Sequence, residues 1–465
     1  MRTTLLNPTV WLLAAMGVAG AIGAVRGRTA RASVESVLRF ACAWPVLIVL
    51  VGLAVFGLGS RAVLGFLAPG AYAEEVIAAR TFLDERESRG GSRTAPTNLY
   101  PAGGAAGSAV IGDATASAAL ANLPWLTACQ GNAIANRAKF YTDHAHPPML
   151  LLAGVPVVYI GGAKLLYTVL LIASLAAIAL MAGVLIESAG LSWRSPSGLL
   201  VIAAVAGWQP VLAGVRQGDA VLPAAGLLAL AWYLVGRRSE DRAILPAAVA
   251  ACVAVPAIGV LPALWRTAPR AAAIATGIVL VTIAATVAAA GVSVVPGFLQ
   301  TVSETARTYA SAPANYAIAG RALETGAGAP VLVGLLALIL ACSWWRGTTT
   351  DTAFAAFVVA GMMIAPVLWS QHLALLLIPM AVLFTRILRD GSSIALALLA
   401  GLALLFSLPD TIAIRMAQLS SSVTLATLSG ALITVWAWTA FSTELGSEAR
   451  LAHPRLSASP PVHVP

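Results

Sequence analysis

Long apolar runs dominate this chain. Several reach about 18 residues or more, and a helix needs ~20 residues to cross a hydrocarbon core of ~30 Å. Hydrophobic residues make up 59% of the sequence and charged residues only 10%, whereas ordinary soluble domains have roughly 25% charged residues. A soluble fold has too little interior to bury this much apolar surface. We therefore predict an all-α integral membrane protein that crosses the bilayer many times.

The apolar runs predict a bundle of about 11–13 transmembrane helices. The predicted spans are 8–25, 41–58, 147–162, 165–187, 199–214, 220–236, 243–264, 271–291, 329–345, 352–368, 373–388, 393–409 and 423–441. Arginines flank the run 243–264 at both ends, and Pro256 and Pro262 interrupt it. We therefore predict two short re-entrant halves there, a backbone that is tolerated in a membrane where it lines a cavity.

The net charge of +9 comes largely from arginines that lie in short clusters beside apolar runs. This pattern is typical of cytoplasmic loops and argues against nucleic-acid binding. It places 26–39, 237–242, 346–351 and 386–390 inside, and 59–146, 292–328 and 369–372 outside. The four cysteines form neither a disulfide framework nor a metal-binding pattern.

The chain divides into four regions on this basis. Residues 1–58 are predicted N-terminal transmembrane helices, 59–146 an outer loop, 147–441 a transmembrane bundle, and 442–465 a disordered tail rich in Pro and Ser. The stretch 71–89 is rich in Ala, Glu and Arg, and we interpret it as an amphipathic helix on the membrane surface.

Acidic residues are concentrated in the outer loop. Seven of the 19 in the whole chain lie there: Glu74, Glu75, Asp84, Glu85, Glu87, Asp113 and Asp143. Glu74 and Glu75 occur early in the predicted surface helix, close to the membrane, where partial desolvation favours a general base. The alternative is that they are ordinary charges at a helix N-terminus. The other glutamates of that helix are interpreted as a solvated face.

The end of the loop carries the densest polar cluster, with Asp143, His144 and His146 directly before a span. A metal site is one interpretation, but no further ligand occurs at a suitable spacing. We favour hydrogen bonding to a phosphate or a sugar, and predict neither a metal nor a cofactor.

Three further polar positions lie at the predicted outer ends of spans. Arg216, Gln217 and Asp219 form one group between two apolar runs. They are either ordinary loop residues or part of a site, since ionisable residues at membrane depth usually face a functional cavity. His372 follows a Pro-containing span end and is equally compatible with function or with a structural role. Asn315 is a candidate ligand residue or simply part of a turn.

Five motifs follow one another between about residues 60 and 390. They are Ala71–Arg80 with its two glutamates, His146–Met149 with its Pro-Pro pair, Gln217–Asp219, Asn315–Gly320, and Pro366–His372 followed by a Leu-rich run and Pro379. This order resembles the polyprenyl-phosphate-dependent membrane glycosyltransferases of the GT-C type, and most closely glycosyltransferase family 87, the alpha-mannosyltransferase-like group.

The resemblance implies that a hexose, with mannose expected, moves from a polyprenyl-phosphate sugar donor to a glycan or glycolipid acceptor by a single inverting displacement. It also implies a multi-pass location in a bacterial plasma membrane, with catalysis at the outer face. Glu74 or Glu75 would be the base, and the other polar positions would bind the donor phosphate or sugar. The membrane lipids would be the remaining partners.

Three positions depart from the family pattern. The catalytic loop aspartate of the family aligns nearest Ala71, the Lys-Pro pair of a middle helix is Val255-Pro256, and the first of two histidines is Gln371. Two other functions therefore stay open: a catalytically degenerate relative that binds lipid-linked sugar, and a transporter or flippase, which would use broken helices and polar groups at the bilayer midplane.

Overall fold

The structure is a computed structural model that describes residues 7–67, 147–308, 315–318, 349–365, 367–408 and 421–441, with short pieces between 334 and 344. Within these residues all regular secondary structure is helical. The predicted surface helix at 71–89 and the predicted disordered tail at 442–465 lie outside the described residues.

The first part of the chain forms eight helices within its described residues. They are α1 (Pro8–Val25), α2 (Ala30–Ala41), α3 (Trp44–Leu67), α4 (Pro148–Ser188), α5 (Pro196–Gly207), α6 (Gln209–Gln217), α7 (Val221–Gly236) and α8 (Glu240–Val253). Polar side chains cap several of them. Asn7 accepts hydrogen bonds from the first turn of α1, for example, and Ser195 does the same for α5.

The second part continues with helices that alternate with two 3-10 segments. They are the 3-10 segment Val255–Gly259, α9 (Val260–Thr267), α10 (Pro269–Ala290), α11 (Val294–Thr308), α12 (Thr350–Ile364), the 3-10 segment Ser370–Leu376, α13 (Leu377–Asp390), α14 (Ser393–Phe406) and α15 (Ser421–Phe441).

Five of these units are long and apolar enough to cross a membrane: α1, α3, α4, α10 and the continuous segment Ser370–Asp390. The pair α5 and α6 forms a sixth if its 54° bend lies within one span. The shorter apolar helices include α7, α12 and α14. The described chain is thus an all-helical, multi-pass membrane protein, as predicted, while the total of about 11–13 spans stays a prediction.

One span boundary differs from that predicted, and one predicted break is confirmed. The second span extends to Leu67 instead of ending at residue 58, so the first residues assigned to the outer loop are the last turns of α3. The runs 147–162 and 165–187 were predicted as separate spans, and α4 is broken at this boundary, at Gly162, where φ is 66°. No loop-forming sequence separates the two runs, so glycine bends the helix instead.

The segment 240–267 folds as two short helical halves around a 3-10 turn. Pro256 lies in that turn and Pro262 in the first turn of α9, which agrees with the halves predicted from these prolines. A proline lacks the N–H that a continuous helix needs at that position, and the chain therefore turns here.

The two halves of 240–267 form a helical hairpin. Its contacts near α12 show where the turn and the end of α9 lie in the bundle. At the turn, Gly259 lies so close to the middle of α12 that an added Cβ atom would be 2.1 Å from the carbonyl oxygen of Phe357. At the end of α9, Arg266 Nε donates to the carbonyl oxygen of Trp344 at 3.3 Å, shortly before α12 begins. The hairpin therefore enters the bundle and returns to the end from which it came.

Arginines from distant parts of the sequence meet at one end of the bundle. The Ala30 N–H donates to the carbonyl oxygen of Gly391 at 2.9 Å, and the Ser393 hydroxyl donates to the carbonyl oxygen of Arg28. In the last turn of α7, Trp232 Nε1 donates to Asp351 of α12 at 2.9 Å. We call this the basic end, and its arginines are Arg26, Arg28, Arg31, Arg237, Arg238, Arg242, Arg386 and Arg389.

Candidate functional site

The ten residues predicted for the site fall into two groups. Five lie outside the described residues: Glu74, Glu75, Asp143, His144 and His146. The structure places the other five: Arg216, Gln217, Asp219, Asn315 and His372. Of these, Asp219 and His372 come together at the end of the bundle opposite the basic end, because α7 and α13 both run from this point to their arginines.

Asp219 lies in the tight connection between α6 and α7. Gly218 ends α6 in the left-handed conformation, with φ at 62°, a geometry that glycine adopts without steric penalty. The chain then turns so that Asp219 Oδ1 accepts a hydrogen bond of 2.9 Å from the N–H of Val221, the first residue of α7. Only 2% of Asp219 is exposed, so its carboxylate depends on such donors for stability.

The second carboxylate oxygen faces the 3-10 segment Ser370–Leu376. Gln371 donates from Nε2 to Asp219 Oδ2 at 3.2 Å. The Nε2 atom of His372 lies 3.8 Å from the same oxygen, which is close enough for electrostatic attraction but longer than a hydrogen bond. Two neighbouring side chains therefore converge on one buried carboxylate.

The imidazole of His372 has a defined orientation. Its Nδ1 accepts a hydrogen bond of 2.8 Å from the N–H of Trp369. A neutral histidine whose Nδ1 accepts must carry its proton on Nε2, the nitrogen that faces Asp219. With 12% of its side chain exposed, His372 presents an N–H donor at the edge of the cluster.

Asn315 supports the segment that carries His372. Its Oδ1 accepts hydrogen bonds of 2.9 Å from the N–H groups of Ala317 and Leu368, and the Tyr316 N–H donates to the carbonyl oxygen of Leu368 at 2.8 Å. The bond to Ala317 is a local turn contact, one of the two roles that the sequence allowed for Asn315. The bond to Leu368 joins two distant parts of the chain. Asn315 is fully buried and acts on the site by positioning residues 367–369.

Arg216 and Gln217 form the last turn of α6, immediately before Gly218. Arg216 is exposed and Gln217 half-buried. They are more accessible than Asp219, and Arg216 brings a positive charge to the surface beside the buried cluster. A guanidinium in this position can bind an anionic oxygen in a bidentate manner.

Tyr167 fixes the end of α6 against α3. Its hydroxyl lies 3.0 Å from the carbonyl oxygens of both Ala62 and Val215. At the same contact, an added Cβ atom on Gly65 would lie 2.5 Å from the carbonyl oxygen of Arg216. Arg216 is thereby held next to the end of α3, from which the chain continues into the segment that carries Glu74 and Glu75.

Sequence reasoning missed Tyr167 and Gln371 as parts of this site. Tyr167 lies in a largely apolar stretch of α4, and a tyrosine hydroxyl in an apolar run needs a hydrogen-bond partner, so its sequence position held a usable signal. Gln371 was noted only as a departure from a histidine. Among the described residues, no group of three or more His, Cys, Asp or Glu side chains is arranged to hold a metal ion.

Taken together, the cluster offers a buried carboxylate, an oriented imidazole N–H and an exposed guanidinium at one end of a membrane bundle. Such a set can bind an anionic headgroup by charge-assisted hydrogen bonds. Comparison of the chain with protein-family models, with curated proteins and with solved structures finds no match.

Proposed function

We propose that the protein transfers a hexose, with mannose expected, from a polyprenyl-phosphate sugar donor to a glycan or glycolipid acceptor at the outer face of a bacterial plasma membrane. The observation that carries the proposal is the convergence of Gln371 and His372 on buried Asp219, beside exposed Arg216 and opposite the basic end. The positive-inside rule assigns the basic end to the cytoplasm, and the cluster then faces outward.

The donor phosphate would be bound by Arg216 and by the Nε2–H group of His372. A polyprenyl tail is apolar and can lie between helices, while the phosphate remains at the membrane surface. As the sugar leaves, negative charge develops on the phosphate oxygen, and fixed donors stabilise that charge most effectively. Asp219 is a positioning residue in this account, since its carboxylate faces the imidazole and anchors Gln371.

The reaction is a single displacement. Glu74 or Glu75 removes the proton from the acceptor hydroxyl, whose oxygen forms the new bond to the anomeric carbon. The bond from that carbon to the donor phosphate breaks, and the electron pair leaves with polyprenyl phosphate. Because attack and departure occur on opposite sides, the configuration of the anomeric carbon inverts.

Two interruptions of the helices favour the transporter as the second candidate. The hairpin 240–267 and the break of α4 at Gly162 are discontinuities of the kind that transporters use around a substrate. A transporter would move intact polyprenyl-linked sugar across the bilayer and form no new glycosidic bond.

The test is a transfer assay with the purified full-length protein in liposomes. Radiolabelled polyprenyl-phosphate mannose serves as donor, a membrane glycolipid extract as acceptor, and thin-layer chromatography separates the products. We expect labelled product from the wild type, and a loss of about 10²–10⁴-fold in rate for the critical Glu74→Gln or Glu75→Gln variant, the usual contribution of a general base.

Glu87→Gln is the matched control, because Glu87 belongs to the predicted solvated face of the same loop segment. It should retain wild-type transfer. Donor binding without transfer by the wild type would identify the degenerate relative, and movement of label between leaflets without a new product would identify the transporter.

A further inference from the structure

A groove of about 540 Å³ lies between α1 and α2. Its wall on α1 follows one helical face, with positions three and four residues apart from Trp11 to Gly23. Most of these residues are small: Ala14, Ala15, Ala19 and Gly23. The groove is therefore a long apolar channel along the helix, and it is remote from the Asp219 cluster because α1 ends at the basic end.

The polar part of the groove is confined to that end. Arg28, Ser33 and Ser36 complete the lining. The two serine hydroxyls donate to carbonyl oxygens within the N-terminal part of α2, so Arg28 is the cationic group of the lining. Its side chain is exposed, and within the described part of the chain it forms no ion pair with an acidic residue, whereas neighbouring Arg31 pairs with Glu35 at 3.3 Å.

The dimensions match one leaflet of a bilayer. The stretch from Trp11 to Gly23 rises about 18 Å at 1.5 Å per residue, and one leaflet contributes roughly half of a ~30 Å hydrocarbon core. Val18 and Ile22 also line the groove and are 59% and 45% exposed, so the groove is open to the surroundings along α1. An acyl chain that enters from the bilayer would lie along the small residues and bring its headgroup level with Arg28.

The helix α2 has the properties of a membrane-surface helix. It is amphipathic and contains Arg31 and Arg39, while Phe40 near its end and Trp44 at the start of α3 are 69% and 60% exposed. Aromatic side chains of this kind favour the headgroup region, and arginines near the membrane surface attract anionic lipids. The groove thus opens where lipid headgroups lie.

We propose that this groove binds one anionic phospholipid of the leaflet at the basic end, with an acyl chain along α1 and the phosphate on Arg28. The site is independent of the proposed transfer reaction, because it lies at the opposite end of the bundle from Asp219. An anionic headgroup is favoured over a zwitterionic one because Arg28, the cationic group of the lining, forms no ion pair with an acidic residue of the described chain.

The experiment is native mass spectrometry of the full chain. The protein is incubated in detergent with phosphatidylglycerol or with phosphatidylcholine, and the detergent is then removed in the spectrometer. We expect one phosphatidylglycerol molecule to be retained in preference to phosphatidylcholine. Arg28→Gln should reduce that retention about fivefold, the effect of removing one arginine near a lipid surface. Arg39→Gln, which removes an exposed arginine of α2 that does not line the groove, should leave it unchanged.

A second pair of variants tests the apolar part. Ala15→Phe fills the groove and should abolish selective retention, whereas Ala21→Phe adds the same side chain to an exposed position of α1 outside the groove and should not. Equal retention of both lipids, or equal effects of each variant and its control, would overturn the proposal. So would a dimer of the chain that Ala15→Phe dissociates, because a second copy would then occupy the groove.

Discussion

Gln371 donates a 3.2 Å hydrogen bond to the carboxylate of Asp219, a residue 152 positions earlier in the chain. The bond joins the 3-10 segment before α13 to the connection between α6 and α7. The same carboxylate also accepts from the backbone at Val221 and lies 3.8 Å from His372 Nε2, so it holds two distant segments of the chain together. Both the stability of this end of the bundle and its proposed chemistry depend on it.

Removal of the carboxylate should destabilise the fold. Asp219→Ala leaves the Gln371 amide and the Val221 N–H without an acceptor, and an unsatisfied buried donor costs about 1–3 kcal/mol. We expect a clearly lower midpoint in thermal unfolding followed by intrinsic fluorescence in detergent. Asp390→Ala is the control, since the Asp390 side chain is 60% exposed and pairs with Arg386 at 3.6 Å, and ion pairs of exposed carboxylates contribute about 0–1 kcal/mol. Equal shifts for the two variants would contradict the role given to Asp219.

A change of charge at position 371 should be rescued by a second change. Gln371→Glu places a second carboxylate against buried Asp219, and the repulsion should lower the unfolding midpoint strongly. The double variant with Asp219→Asn restores a pair of one amide and one carboxylate, so it should recover most of the loss. A double-mutant cycle measures the coupling, which is expected at about 0.5–3 kcal/mol for side chains in contact. Additive effects would mean that the two residues do not interact.

The hairpin contact at α12 should not tolerate a methyl group. Gly259→Ala would place a Cβ atom 2.1 Å from the Phe357 carbonyl oxygen, and overpacking of this kind typically costs about 1–3 kcal/mol. Gly277→Ala is the matched control, because nothing lies within 4 Å of its added Cβ atom in α10. We expect the control to be neutral or slightly stabilising in a helix. A harmless Gly259→Ala would contradict the close packing of the hairpin on α12.

The contribution of the Tyr167 hydroxyl, which lies between α3 and α6, can be measured against that of an exposed tyrosine. Tyr167→Phe removes only the hydroxyl that lies near the Ala62 and Val215 carbonyl oxygens, with an expected loss of about 0.5–1.5 kcal/mol. Tyr159→Phe makes the same change on α4 at a residue that is 71% exposed, and should be neutral. Thermal unfolding of both variants side by side measures the difference, and identical midpoints would show that the contact does not stabilise the bundle.

Local sequence patterns predicted much of the helical framework. The bounds of α1, α7 and α10 lie within a few residues of the predicted spans, because each is a single apolar run with a clear polar or glycine boundary. The prolines at 256 and 262 predicted the two short helical halves of 240–267 for the same reason, since the effect of proline on a helix is local. The break within α4 lies at Gly162, the last residue of the run 147–162, as the two separate runs predicted.

The site was harder to predict because its key contacts are not local. Asp219 and His372 were singled out by their polarity at span ends, but the sequence does not reveal that Gln371 binds the same carboxylate across 152 positions. Tyr167 and Asn315 likewise act through partners far along the chain. The helix α2 was missed as well, because a short amphipathic segment rich in arginine gives no apolar run.

The central claim is that the lipid-linked donor binds at the Asp219 end of the bundle. The affinity of the donor for two matched arginine variants of the protein tests this claim most directly. The dissociation constant of polyprenyl-phosphate mannose would be measured for the wild type, for Arg216→Gln beside the cluster and for Arg389→Gln at the basic end. A charge-assisted hydrogen bond contributes about 1.5–3 kcal/mol, so Arg216→Gln should weaken binding roughly tenfold or more, with Arg389→Gln unchanged. Unchanged affinity in Arg216→Gln, or an equal loss in both variants, would contradict the account.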